Sequence, residues 1–207
     1  TGGNSLVDFF PVGNSIFFVA TTFPSGSIFN QLWKSDGTDA GTVLVYDDGN
    51  NNPGWGMSHF TYANGLLYFT NTNSANGYEV WRSDGTTAGT HILRDINPDA
   101  YDYYGQGPDN LTVYNNQVYF TESDGTYRKL FVADIAGTTA TAAPGNNSVI
   151  FDPLNYYLFA NNPFTVSNGL MYMQGSTAAT GNELFRYDAI NGEVLLKDIT
   201  PGTDNTK

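Results

Sequence analysis

The sequence contains no cysteine. A disulfide framework, a thiolate zinc centre and a cysteine nucleophile are all excluded, although the compartment is left undecided. Histidine occurs only as His59 and His91, too few for a multi-histidine metal centre. Positive charge is scarce as well: eight Lys and Arg stand against 20 Asp and Glu, a formal net charge of -12. Long-range electrostatics then repel a polyanion, and no nucleic-acid partner is expected. The longest apolar runs, 15–20 and 65–69, fall far short of the ~20 residues that span a bilayer, so the chain is not expected to be membrane-spanning. No basic segment followed by an apolar one opens the chain, which starts at Thr1. It reads as a processed or excised segment whose targeting signal has gone. Nor does any stretch carry a sustained 3.6-residue apolar stripe, so helices are not expected.

What is present is a repeat. LWKSDGTDAGTVLVYD, beginning at Leu32, returns as VWRSDGTTAGTHILRD from Val80; a weaker copy starts LFVADIAGT at Leu130, and a fourth reads LFRYDAINGEVLLKD from Leu184. Upstream of these lie GNSIFF from Gly13, NGLLYF from Asn64, NNQVYF from Asn115 and NGLMYM from Asn168, whose starts are 51, 51 and 53 residues apart. A further short piece precedes each one: FFPV at Phe9, HFTY at His59, NLTV at Asn110 and PFTV at Pro163. Every unit thus holds four short pieces rich in aromatic and β-branched residues and separated by Gly, Asn, Asp and Pro, the mark of strands.

Asn64-Gly65 and Asn168-Gly169 suit the positive φ angles of a tight hairpin between the first two strands. DGTxxGT joins the third and fourth, with the Asp carboxylate placed to accept backbone N–H groups. The result is a four-stranded antiparallel meander of about 50 residues, repeated four times. Strands two and three are apolar on both sides, so each sheet needs a neighbour on either face. Such units are expected to be the blades of an all-β fold, a β-propeller in one unit over 1–207, with blades near 5–48, 58–97, 109–153 and 162–200. A closed four-bladed ring and an excerpt of a larger propeller or array both satisfy this pattern.

The phrases at 32–47, 78–98 and 182–202 resemble tandem repeats of the form ELWxSDGTxxGTxxVxDIxPG found in large secreted bacterial proteins, with Phe185 in place of Trp and the DGT lost in the last copy. The resemblance covers essentially the whole chain. It implies β-propeller structure and a secreted, extracellular or cell-surface setting in a bacterium, and it implies no particular chemistry.

Residues that recur once per repeat are expected to build it. Asp36, Asp84, Asp134 and Asp188 are read as structural turn residues, and Asp47, Asp95 and Asp198, at the end of strand four, as structural too. An enzyme finds little support. Only Arg128 lies outside the repeating cation positions, which leaves a sialidase-like site without its arginine cluster. Asp99, Asp102, Asp109, Glu122, Asp124 and Asp152 could serve a glycosidase, but nothing in their spacing selects a pair. Neither His59 nor His91 has a G-x-S-x-G elbow to serve; His91 occupies a strand position.

Function is then sought where the copies differ. Trp55, then Tyr101, Tyr103 and Tyr104, and finally Tyr156 and Tyr157 stand in the three connections between repeats. Aromatic rings among Asn and Asp suit a glycan or protein surface, or the packing of blade ends. No cofactor is required. Calcium is the ion these loops could take, through Asp47, Asp48 and Asn50 or through Asp99, Asp102 and Asp109, without the spacing of an EF-hand. The leading expectation is a non-catalytic extracellular protein acting in adhesion, assembly or glycan and protein binding, self-association included. A secreted carbohydrate-active enzyme with acids at the propeller mouth and an architectural subunit of a filament or surface layer are the alternatives.

Overall fold

A computed structural model describes residues 5–22, 29–47, 49, 56–73, 75–96, 107–123, 127–145, 164–199 and 201. The described residues form sixteen strands in four antiparallel sheets. Sheet 1 is β1 (Ser5–Val12), β2 (Ser15–Thr22), β3 (Phe29–Ser35) and β4 (Val43–Asp47). Sheet 2 is β5 (Ser58–Ala63), β6 (Leu66–Asn73), β7 (Gly77–Ser83) and β8 (His91–Ile92). Sheet 3 is β9 (Asp109–Tyr114), β10 (Gln117–Ser123), β11 (Arg128–Ala133) and β12 (Ala140–Ala142). Sheet 4 is β13 (Thr165–Ser167), β14 (Leu170–Thr177), β15 (Thr180–Asp188) and β16 (Gly192–Lys197). In each sheet the spatial order equals the chain order, as in a meander.

The four four-stranded meanders expected from the repeat are therefore present, but the β-propeller is not. No sheet closes or curls, and no ring forms among the described residues. A ring would bury the outer faces of the first and last sheets, whereas Leu6, Phe9 and Leu44 on sheet 1 and Leu184 on sheet 4 remain exposed. The chain instead divides into two compact units, Thr1–Tyr101 and Asp102–Lys207.

The first unit is built by one sheet lying on another. Successive strand residues point to opposite faces, so Phe17, Val19, Leu32 and Val45 present one face of sheet 1 to Leu67, Phe69 and Trp81 of sheet 2. Phe10 reaches across to Phe60, and Tyr46 to Trp81 at a centroid distance of 5.1 Å. The second unit repeats the arrangement with other side chains: Tyr119, Leu130 and Val132 of sheet 3 against Met171, Met173, Phe185 and Tyr187 of sheet 4. Here the Tyr114 hydroxyl donates to the Gly169 carbonyl at 2.8 Å. Burial holds the Tyr119 and Tyr187 hydroxyls above the ordinary tyrosine range, hence protonated.

The repeated phrase can be read as a clasp between strands three and four. Asp84 Oδ1 accepts from the Thr86 N–H and the Thr86 hydroxyl (2.9 and 2.7 Å), while Thr86 Oγ1 accepts from Gly89 N–H at 3.0 Å. Thr90 Oγ1 donates to the Thr86 carbonyl and lies 2.6 Å from Ser83 Oγ, which itself accepts from Gly85 N–H. Asp36, Thr38, Gly41, Thr42 and Ser35 make the same set of bonds in sheet 1. Every residue of S-D-G-T-x-x-G-T thus has a local task. The glutamate of the phrase has one as well: Glu79 Oε1 accepts from the Ile96 N–H and Glu183 Oε2 from the Ile199 N–H, which pins the chain as it leaves strand four.

Candidate functional site

Along the first strand of three sheets, one residue breaks the pairing. The register slips between Val7 and Phe10, between Ser58 and Thr61, and opposite Tyr119 to Thr121. The residue in each slip has a left-handed backbone: Asp8 at φ 55°, His59 at 54° and Asn110 at 59°. They are 51 residues apart, one per repeat. Asp, Asn and His are the non-glycine residues enriched in this conformation, and a β-bulge re-aims the side chain it carries.

In register the bulges lie opposite Phe18, Phe69 and Phe120, in the middle of the second strand of each of these three sheets. In sheet 2 this produces a knot of polar groups. Thr70 Oγ1 lies 2.7 Å from the Tyr78 hydroxyl, 3.0 Å from Ser58 Oγ and 3.1 Å from His59 Nδ1. Ser58 Oγ is also 3.2 Å from both His59 Nδ1 and the Tyr78 hydroxyl. Asp8, from the neighbouring sheet of the same unit, feels the His59 charge. Loss of water around its carboxyl pushes it above the ordinary aspartate range, and His59 offsets part of that.

Sheet 3 has the same positions filled by other chemistry. Asn110 Nδ2 and Arg128 Nη1 each donate to Thr121 Oγ1 at 3.1 Å, and Arg128 Nη2 donates to the Gly107 carbonyl at 2.8 Å. The register makes the equivalence secure, since Asn30, Tyr78 and Arg128 pair with Thr21, Thr72 and Ser123. Asn30 in turn accepts from the Thr21 hydroxyl at 3.0 Å. The bulge and the head of strand three therefore form a fixed stage on which the residues change from sheet to sheet: Asp8 with Asn30, His59 with Tyr78, Asn110 with Arg128.

In the first unit a small cavity of about 100 Å³ is lined by residues that include Phe17, Lys34, Tyr62 and Asp84. It is too small for an organic ligand, whose pockets run to ~300 Å³ and above. Lys34 Nζ lies 5.8 Å from the centre of the Phe17 ring there.

Asp134 accepts from Thr138 and Thr139 N–H, and Asp188 from Ile190 and Asn191 N–H. Asp47 and Asp109 also serve their own backbone: Asp47 accepts from Gln31 Nε2 at 2.7 Å and from Gly49 N–H, and Asp109 from Asn110 N–H. Their suggested calcium partners Asp48, Asn50, Asp99 and Asp102 lie outside the described residues, as do Trp55, Tyr101, Tyr103, Tyr104, Tyr156 and Tyr157. Among the described residues no three His, Asp or Glu gather as a metal cluster. Glu122 is fully buried opposite Lys129 in the pairing of β10 with β11, and His91 Nδ1 sits 2.8 Å from its neighbour's carbonyl on Ile92. No catalytic constellation is evident among the described residues.

The bulge position escaped the sequence reading, although a signal was there: three polar residues, Asp8, His59 and Asn110, 51 residues apart at one repeat position of the first strand.

No sequence family matches this chain, and no curated protein does. Its fold is similar to part of a crystal structure of a puromycin hydrolase mutant complexed with PGG, at a TM-score of 0.58 and 14% identity, covering 90% of this chain and 30% of that one. The chain spans under a third of that protein. A looser likeness, at a TM-score of 0.35 and 10% identity, is to an alpha-L-arabinofuranosidase from Clostridium thermocellum, over 95% of this chain and 75% of that one. Both are likenesses of a β-sheet-rich fold at low identity. Among the described residues no helix is long and apolar enough to cross a membrane.

Proposed function

We propose that the chain is a non-catalytic binding protein of the cell surface or extracellular space, which contacts glycans through its bulge residues and the heads of the third strands. One observation carries this reading. The bulge and its register recur across sheets 1 to 3, whereas the bulge residue and the head of strand three differ among these three sheets, giving Asp8, His59 and Asn110 with Asn30, Tyr78 and Arg128. Positions that vary on a constant scaffold are where a binding surface is written. Carboxylate, imidazole, carboxamide, phenol and guanidinium groups are those that hydrogen-bond to sugar hydroxyls. The reading requires no cofactor, and the acidic chain disfavours polyanionic glycans.

The test is a glycan array followed by calorimetry on any hit. His59→Gly and Asn110→Gly remove the side chain while tolerating the left-handed backbone. A tenfold or greater loss of affinity with an unchanged melting temperature is expected. Undiminished binding by both variants would refute the assignment, and turnover of a bound glycan would make the protein an enzyme instead.

A further inference from the structure

One face of sheet 1 is a copy of a face that is buried one sheet later. Phe9 stacks on Phe18 with ring centroids 5.6 Å apart and planes at 19°; 51 residues on, Phe60 stacks on Phe69 at 5.5 Å and 24°. Phe18 pairs with Trp33 and Trp33 with Leu44, just as Phe69 pairs with Trp81 and Trp81 with Ile92. In sheet 2 these residues are the docking face, closed by Phe17, Val19, Leu32 and Val45 of sheet 1. In sheet 1 the rim of the same face is open, with Phe9 58%, Leu6 57% and Leu44 41% exposed, while Phe18, stacked against Phe9, is 8% exposed. Scattered apolar residues on a surface need no explanation, but a contiguous face that repeats an established interface marks an interaction site.

The established interface also specifies what covers such a face: the opposite face of a preceding sheet, carried by the positions of Phe17, Val19, Leu32 and Tyr46. On sheet 4 those positions are Tyr172, Gln174, Leu184 and Lys197, by the shared phrases and by the pairing of Leu184 with Lys197 where Leu32 pairs with Tyr46. This face is open too, with Leu184 40% exposed. Tyr46 packs on Trp81 in the first unit. The equivalent contact sets Lys197 over the indole of Trp33, a cation–π pair.

We propose that the open face of sheet 1 docks the outer face of sheet 4 of a second copy of this chain, so that copies join head to tail. Unlike faces meet in this contact, which makes it heterologous, so it can propagate. The inference is independent of glycan binding at the bulges.

Sedimentation velocity from low to high micromolar protein tests it. The mass of the unaltered chain should rise with concentration. Phe9→Asp and Leu184→Asp, both at exposed positions, should each stay monomeric and melt as the parent does. Leu6→Asp is the second variant on the first face should Phe9→Asp prove unstable. An equimolar mixture of Phe9→Asp and Leu184→Asp should form a one-to-one dimer and go no further, since each chain retains one competent face. A parent chain that stays monomeric throughout would overturn the proposal. So would a Leu184→Asp chain that dimerises alone, which would mean that the first face pairs with itself, or a mixture that stays monomeric.

Discussion

Gly89 lies where any side chain would strike Asp84: a Cβ at Gly89 would be 2.0 Å from Asp84 Oδ1. Gly41 stands in the same relation to Asp36, also at 2.0 Å. The second glycine of D-G-T-x-x-G is thus required by the carboxylate on which two bonds of the clasp depend, while the first, Gly85 at φ 89°, is required by the backbone.

Gly89→Ala is accordingly expected to destabilise the first unit by about 1 to 3 kcal/mol, the usual cost of forcing an atom into occupied space. Denaturant unfolding of Gly89→Ala, Asp84→Ala and the double variant measures the coupling between them. The double variant should lose less than the sum of the two single losses; simple additivity would mean that the clash is relieved elsewhere.

Two tryptophans at one repeat position should behave differently. Trp81 is 5% exposed within the core of the first unit, whereas Trp33 is half-buried on the outer face of sheet 1. Trp81→Ala is expected to cost about 3 to 5 kcal/mol, as for other large buried aromatics. Trp33→Ala, melted at low protein concentration, should cost less than half as much. Equal losses would contradict the exposure of the first face.

Stability should fall in acid for a nameable reason. Hydrogen bonds from Thr38 and Thr86 lower the carboxyls of Asp36 and Asp84; in Asp134 burial pushes upward, but the bonds from Thr138 and Thr139 outweigh it. Bonds from Asn191 bring Asp188 to about 2. An aspartate depressed on folding binds its proton more readily when unfolded, so its contribution is present above the ordinary value near ~3.9 and is lost as pH falls through the folded value. The contribution of these aspartates to the melting temperature should hold down to about pH 4 and be lost between about 4 and 2. Asp188→Asn should flatten that drop, and an unaltered acid limb would count against the clasp.

Glu193 works in the opposite sense. Burial pushes its carboxyl above the ordinary range, and its Oε2 has no hydrogen-bond partner among the described residues. A raised carboxyl favours the fold when protonated and weighs against it once pH rises through the folded value. Glu193→Gln should therefore raise the melting temperature of the second unit at pH 7, with a gain that shrinks toward pH 4. A gain constant with pH would point to packing instead of charge.

The strands, their order and the turn aspartates were legible because each is specified locally. Asp36 and Asp84 need only the six residues that follow them. The bulges were not, since a left-handed Asp8 or His59 leaves no mark in composition and emerges only when copies are aligned. Ring closure was illegible for a different reason. Leu6, Phe9 and Leu44 have the composition of core residues, and whether the first and last faces meet depends on angles summed over every sheet, which no single residue encodes. The aromatic connections, from Trp55 to Tyr157, lie beyond the described residues.

Clasp and bulge lie on different strands: in sheets 1 and 2 the clasp closes the turn between strands three and four, whereas the bulge interrupts strand one. A change of residue at 8 or 59 therefore leaves the bonds of that turn untouched, and duplication of a whole repeat copies both devices together.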